Sequence, residues 1–147
     1  MNFLSAMATS SSGMASQRFR MNILSANIAN AETTRTPEGG PFRRRDVIFG
    51  ALPAARTFEE ELRSQVKPED PLHSKVLGVT VDKRPPVLRY EPSHPDANED
   101  GYVAMPNINP MEEMVNLMLA SRSYEANVAA FNATKSMALK ALEIARG

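Results

Sequence analysis

The sequence contains no cysteine and no tryptophan, and aromatic residues make up only 6% of its 147 positions. The missing cysteines exclude disulfides, a thiol nucleophile and Cys-based zinc or iron–sulfur sites. The shortage of aromatics argues against a large, dense globular core. Net charge is lacking too, because 17 Lys and Arg balance 17 Asp and Glu. A phosphate-facing basic surface is therefore not expected, and neither is a nucleic-acid partner. No run of about 18 strongly apolar residues occurs, so no membrane-spanning helix is expected. The opening residues lack a basic stretch followed by a continuous apolar one, and do not read as a cleaved secretory signal.

Proline is absent from both ends. All 11 prolines fall between Pro37 and Pro110. Cutting there divides the chain into a terminal helical domain, residues 1–36 with 108–147, and a central β and loop domain, residues 37–107. In the first segment Met7, Met14, Met21 and Ile28 recur every seven residues, with Phe3, Leu24 and Ala31 at the complementary offset. This heptad pattern predicts a helix from about residue 3 to 32. The helix is weak alone, because Ser10 to Gly13 is poor helix material and Gly13 costs roughly 1 kcal/mol relative to Ala. The methionines make its seam adaptable.

The last segment opens with Asn109 as a helix cap, Pro110 at the first helical position and Glu112 third, a capping-box arrangement. Glu113 adds negative charge at the positive helix end. No Pro or Gly then interrupts until Gly147. A stripe runs through Met114, Leu117, Ser121, Tyr124, Val128, Phe131, Lys135, Ala138, Leu142 and Ala145. A helix of about 36 residues, on the order of 55 Å long, suggests a coiled coil or bundle. Between the ends, short strands are predicted at Arg45 to Phe49, Val76 to Val81, Val87 to Tyr90 and Tyr102 to Ala104. Thr57 to Val66 reads as a short amphipathic helix. The fold class is thus mainly α with a small β part. An antiparallel coiled coil of the two terminal helices buries both stripes at least cost. Two helices cannot cover such wide apolar faces, so further chains are expected around them.

The run Ser25-Ala26-Asn27-Ile28-Ala29-Asn30-Ala31-Glu32-Thr33-Thr34 resembles the N-terminal signature of flagellar rod and hook proteins. Arg35-Thr36-Pro37-Glu38-Gly39-Gly40-Pro41-Phe42-Arg43-Arg44 is narrower and is similar to the proximal-rod branch of that family. His94 to Asp96, Glu99 to Asn107, Met111 to Val115 and Ser121 to Asn127 agree with it. Ala26 departs from the Asn common there, and residues 53–75 do not match closely. The resemblance implies a structural subunit of the flagellar basal-body rod. Such a subunit is exported by the flagellar type III apparatus and polymerises, outside the cytoplasm, into the hollow shaft that carries motor torque to hook and filament. Its partners would be copies of itself, other rod proteins and the export apparatus. The residues expected to carry assembly are Met7, Met14, Met21, Leu24, Asn27, Ile28 and Asn30 on the first helix. In the following loop they are Thr34, Pro37, Gly39, Gly40, Arg43 and Arg44. On the last helix they are Met114, Leu117, Tyr124, Val128, Phe131 and Leu142.

Other readings are weaker. Asp96 to Gly101 matches the first half of a calcium loop, but position twelve is Asn107 rather than Glu, and a polar turn with Gly101 at positive φ is preferred. His73 and His94 stand apart and have no convergent partners. Arg43-Arg44-Arg45 reads as an interface facing acidic groups such as Glu59-Glu60-Glu61 of a neighbour, rather than as a phosphate site. No nucleophile elbow, P-loop or dinucleotide fingerprint occurs, so neither an enzyme nor a cofactor is expected. The rivals are another rod subunit, a helical export chaperone or adaptor, and a wall hydrolase.

Overall fold

The computed structural model describes residues 3–53 and 72–146. The helix expected at Thr57 to Val66 lies outside them. The order of elements is α1 (Phe3–Ala29), β1 (Arg45–Pro53), β2 (Leu72–Val81), β3 (Val87–Tyr90), β4 (Tyr102–Met105) and α2 (Pro110–Arg146). The fold is mainly helical with a small β part, as the periodicity predicts. β1 pairs with β2 in one two-stranded sheet, and β3 pairs with β4 in another. The second pair is antiparallel, with Val87 opposite Met105 and Tyr90 opposite Tyr102.

The chain divides into two compact units. One holds the described parts of Met1–Phe19, Phe49–Leu77 and Ser121–Gly147; the other holds Arg20–Ile48 and Gly78–Ala120. In the first unit α1 runs through Gly13 without a break. A Cβ at Gly13 would lie 2.7 Å from Asn127 Oδ1. Glycine's missing side chain, a liability for an isolated helix, therefore permits close approach to α2. Ser16 is buried beside β2, where its hydroxyl donates to the Ser74 carbonyl at 3.0 Å.

In the second unit the fully buried apolar residues are Leu24, Val103 and Ala120. The β3–β4 turn is closed by Gly101 at φ 81°. Tyr90 and Tyr102 stack edge to face across the pair at 5.2 Å. At the start of α2 the cap forms as expected, since Met111 N–H donates to Asn109 Oδ1 at 3.1 Å.

The buried face of α2 differs in phase from the apolar stripe. Glu113, Ala120 and Thr134 are buried, and half-buried Asn127 falls on the same seven-residue series. Leu117, Tyr124, Phe131 and Ala138 form the other half of the seam and are half-buried. Six of the ten residues of the expected stripe are half-buried. The other four (Met114, Lys135, Leu142 and Ala145) are exposed. Small and polar side chains take their place, because they allow close approach and can hydrogen-bond.

Candidate assembly site

The best-built site of the second unit is a buried polar cluster where α1, the start of β1 and the first turns of α2 meet. Asn27, on the last turns of α1, is wholly buried. Its Oδ1 accepts from the Arg45 backbone N–H at 3.0 Å, and its Nδ2 donates to the Arg45 carbonyl at 2.7 Å. The side-chain amide thus serves the first residue of β1 as a neighbouring strand would. Nδ2 also donates to Glu113 Oε2 at 2.8 Å. Glu113 is 1% exposed, and its other oxygen accepts from Arg44 Nε at 2.8 Å. Arg44 reaches Asp46 at 3.3 Å as well. Burial alone would lower the Arg44 pKa. The hydrogen bond to Glu113 and the charges of Glu113 and Asp46 outweigh that and raise it, so Arg44 stays charged.

The loop leading into this cluster is tied by its own backbone. Phe42 N–H donates to the Thr33 carbonyl at 3.0 Å, and Thr36 and Gly40 pair at 2.9 Å. Gly39 and Gly40 adopt φ of 88° and 75°, which L side chains rarely take. Asn30 closes the helix end by donating to the Ala26 carbonyl at 2.8 Å. Thr34 donates to Asp96 at 2.7 Å, joining this loop to the β3–β4 turn. Beyond the loop the backbone is extended. Arg44 turns inward, whereas Arg43 and Arg45 are exposed and Arg45 lies 5.3 Å from the Phe42 ring centre. Asp82, which continues the ladder by donating its N–H to the Arg44 carbonyl, bonds Arg84. The Arg84 hydrogen bonds hold its carboxyl below the usual carboxylate range.

The residues expected to carry assembly are therefore divided. Leu24 and Asn27 are buried; Met7, Met14, Met21, Ile28, Asn30, Thr34 and Arg44 are half-buried. So are Leu117, Tyr124, Val128 and Phe131. Pro37, Gly39, Gly40, Arg43, Met114 and Leu142 are exposed. Glu113 was expected only to complement the helix dipole; its role as the buried hub has no local sequence signal. In the β3–β4 turn, Asn98 Oδ1 accepts from the N–H groups of Asp100 and Tyr102. That polar turn uses Asn98 internally.

Large apolar side chains remain uncovered on α2. In the second unit Met111, Met114, Val115, Met118 and Leu119 are between 45% and 69% exposed. In the first unit, Leu142 and Ile144 reach 63% and 83%. None of the described helices is long and apolar enough to cross a membrane.

Comparison with known proteins accounts for the whole chain. Residues 7–35 match the family model "Flagella basal body rod protein". Residues 99–144 match "Flagellar basal body rod FlgEFG protein C-terminal". A flagellar basal-body rod protein FlgC of Borreliella burgdorferi is 40% identical, with all of both chains covered. The FlgC of Bacillus subtilis is 43% identical over 93% of this chain and 94% of its own. That of Salmonella typhimurium is 39% identical over 90% of each. The two matched regions coincide with α1 and with the segment from the β3–β4 turn through α2, and on this agreement the chain belongs to the FlgC family of flagellar basal-body rod proteins.

Proposed function

We propose that the chain is a structural subunit of the proximal rod in the bacterial flagellar basal body. There it polymerises with copies of itself and other rod proteins into the hollow shaft that transmits torque. The observation that carries the reading is the full-length match to rod proteins of this family. The apolar side chains left uncovered on α2 support it, because a polymer would bury them. Catalysis plays no part in this reading.

Finer points belong to the same proposal. The terminal segments, 1–36 with 108–147, act as the helical assembly domain. Residues 37–107 act as the central module that distinguishes this subunit from other rod layers. In the assembled state α1 and α2 pair as an antiparallel coiled coil. One contact in each unit is compatible with that pairing, Gly13 against Asn127 and Asn27 against Glu113. Met7, Met14, Met21, Ile28, Val128 and Phe131 pack against neighbours or the partner helix. The chain reaches its place unfolded through the type III apparatus and lies outside the cytoplasm. The lack of disulfides and the weak α1 suit that route.

A reconstruction of purified basal bodies tests the reading. Density for this chain in the proximal rod is expected. Its recovery only from the cytosol, in small closed oligomers, would favour an export chaperone instead.

A further inference from the structure

We infer that the basic edge formed by Arg43 and Arg45 receives the acidic Glu99–Asp100 turn of a second copy of this chain. This deepens the rod reading and rests on it. Extended backbone sends alternate side chains to opposite faces. Arg44 is consumed by Glu113, so Arg43 and Arg45 are left on the outer face, both exposed. They line a groove of about 340 Å³ together with Arg35, Phe42 and a single carboxylate, Glu38. Arg35 is already shared with Asp96 at 3.9 Å.

Several charges of this unit are paired close to home, Arg44 with Glu113 and Asp46, Arg84 with Asp82, and Arg89 with Glu91, whereas Arg20, Glu32, Glu38, Lys83 and Glu112 stand singly with no ion pair among the described residues. Among the described residues Arg43 and Arg45 make no ion pair. Neither do Glu99 and Asp100, which are also exposed. What sets these four apart is clustering: two exposed cations lie close in sequence on one edge, and two adjacent exposed anions on one turn match them in charge and number. The acidic turn is held in shape by the Asn98 bonds and by Gly101, which lowers the ordering cost of a contact. Phe42 beneath Arg45 restrains the basic edge in the same way. A donor patch and an acceptor patch on one chain give a heterologous, head-to-tail contact, which repeats along a polymer.

The test uses the full chain expressed in cells lacking their own copy. Arg43→Glu with Arg45→Glu is expected to lower the amount of chain in purified basal bodies at least tenfold, and so is Glu99→Lys with Asp100→Lys. Thermal melting of the isolated variants at high dilution should stay at the parental temperature. All four changes together should restore incorporation to within threefold of the parent. Parental incorporation of either reversed pair overturns the contact, and so does failure of the fourfold swap to restore it. A second arm uses the absence of cysteine. Arg45→Cys with Asp100→Cys in one chain, treated with a short bis-maleimide in basal bodies, should give a ladder of linked copies that neither single change gives. No ladder also overturns the contact. A parental chain missing from basal bodies would instead sink the rod reading itself.

Discussion

The residue of greatest consequence is Glu113, a carboxylate almost without solvent that is satisfied by two partners from different elements. Breaking a buried pair costs about 3–5 kcal/mol, because one charge is left uncompensated. Asn27→Asp would set a second carboxylate against Glu113 and an oxygen against the Arg45 carbonyl. A loss of about 2–4 kcal/mol is expected at neutral pH by the same reasoning. Glu113→Gln should partly rescue it, since the amide can donate to the new carboxylate. Thermal melts of the single and double variants check this, and an undiminished loss in the double variant would contradict it. Asp82 offers a second measurement. Its depressed pKa means that its contribution is present above the ordinary carboxylate range and is lost as pH falls through the lower folded value. Arg84→Ala should return Asp82 to the ordinary range in a carboxyl NMR titration. Gly101→Ala forces a side chain into positive φ, with its Cβ 3.0 Å from the Tyr90 ring. About 1–3 kcal/mol of stability should be lost, measured by denaturant unfolding.

At the scale of elements, α2 does two things with two faces. Its covered seam is small and polar on one side (Glu113, Ala120, Asn127, Thr134) and apolar on the other (Leu117, Tyr124, Phe131). Its uncovered face keeps methionines, which adapt to irregular partners. Met111→Asp with Met118→Asp changes exposed positions seven apart. Such a variant should melt like the parent at high dilution, where assembly adds nothing to stability, yet lose incorporation into the rod and motility. Reduced melting with normal swimming would assign those residues to the subunit's own fold instead. The heptad reading of α1 located the helix and its buried Leu24 from spacing alone, whereas the buried Asn27 lies off the heptad positions and was singled out only by the family resemblance. Spacing could not show that Gly13 is an asset, because its benefit lies in a contact with Asn127, distant in sequence.

For the whole molecule, the buried apolar set in the described residues is small, Leu24, Val103 and Ala120 with Pro106. So few buried side chains leave stability dependent on what else packs against the chain. Assembly binds the folded form and should raise its apparent stability with concentration. Melting of the purified chain is therefore expected to move upward with protein concentration, and a concentration-independent midpoint would speak against assembly-coupled stability.

Composition, spacing and turn chemistry determined the helical ends, the strands between them, the Asn109 cap and the positive φ of Gly101, while the motifs of residues 25–44 carried the family resemblance. These are local properties: propensity, period, turn chemistry and motif act within a few residues. Only the tertiary structure decided that Arg44 turns inward while Arg43 and Arg45 do not, that Glu113 is a hub rather than a helix-end charge, and that α2 buries a small, polar seam instead of Met114 and Leu142. The reason is one of range. Arg44 and Glu113 are 69 residues apart, and Asn27 and Glu113 are 86. Whether a charge is neutralised or left for a neighbour depends on which partners folding brings together, and no window along the chain contains both.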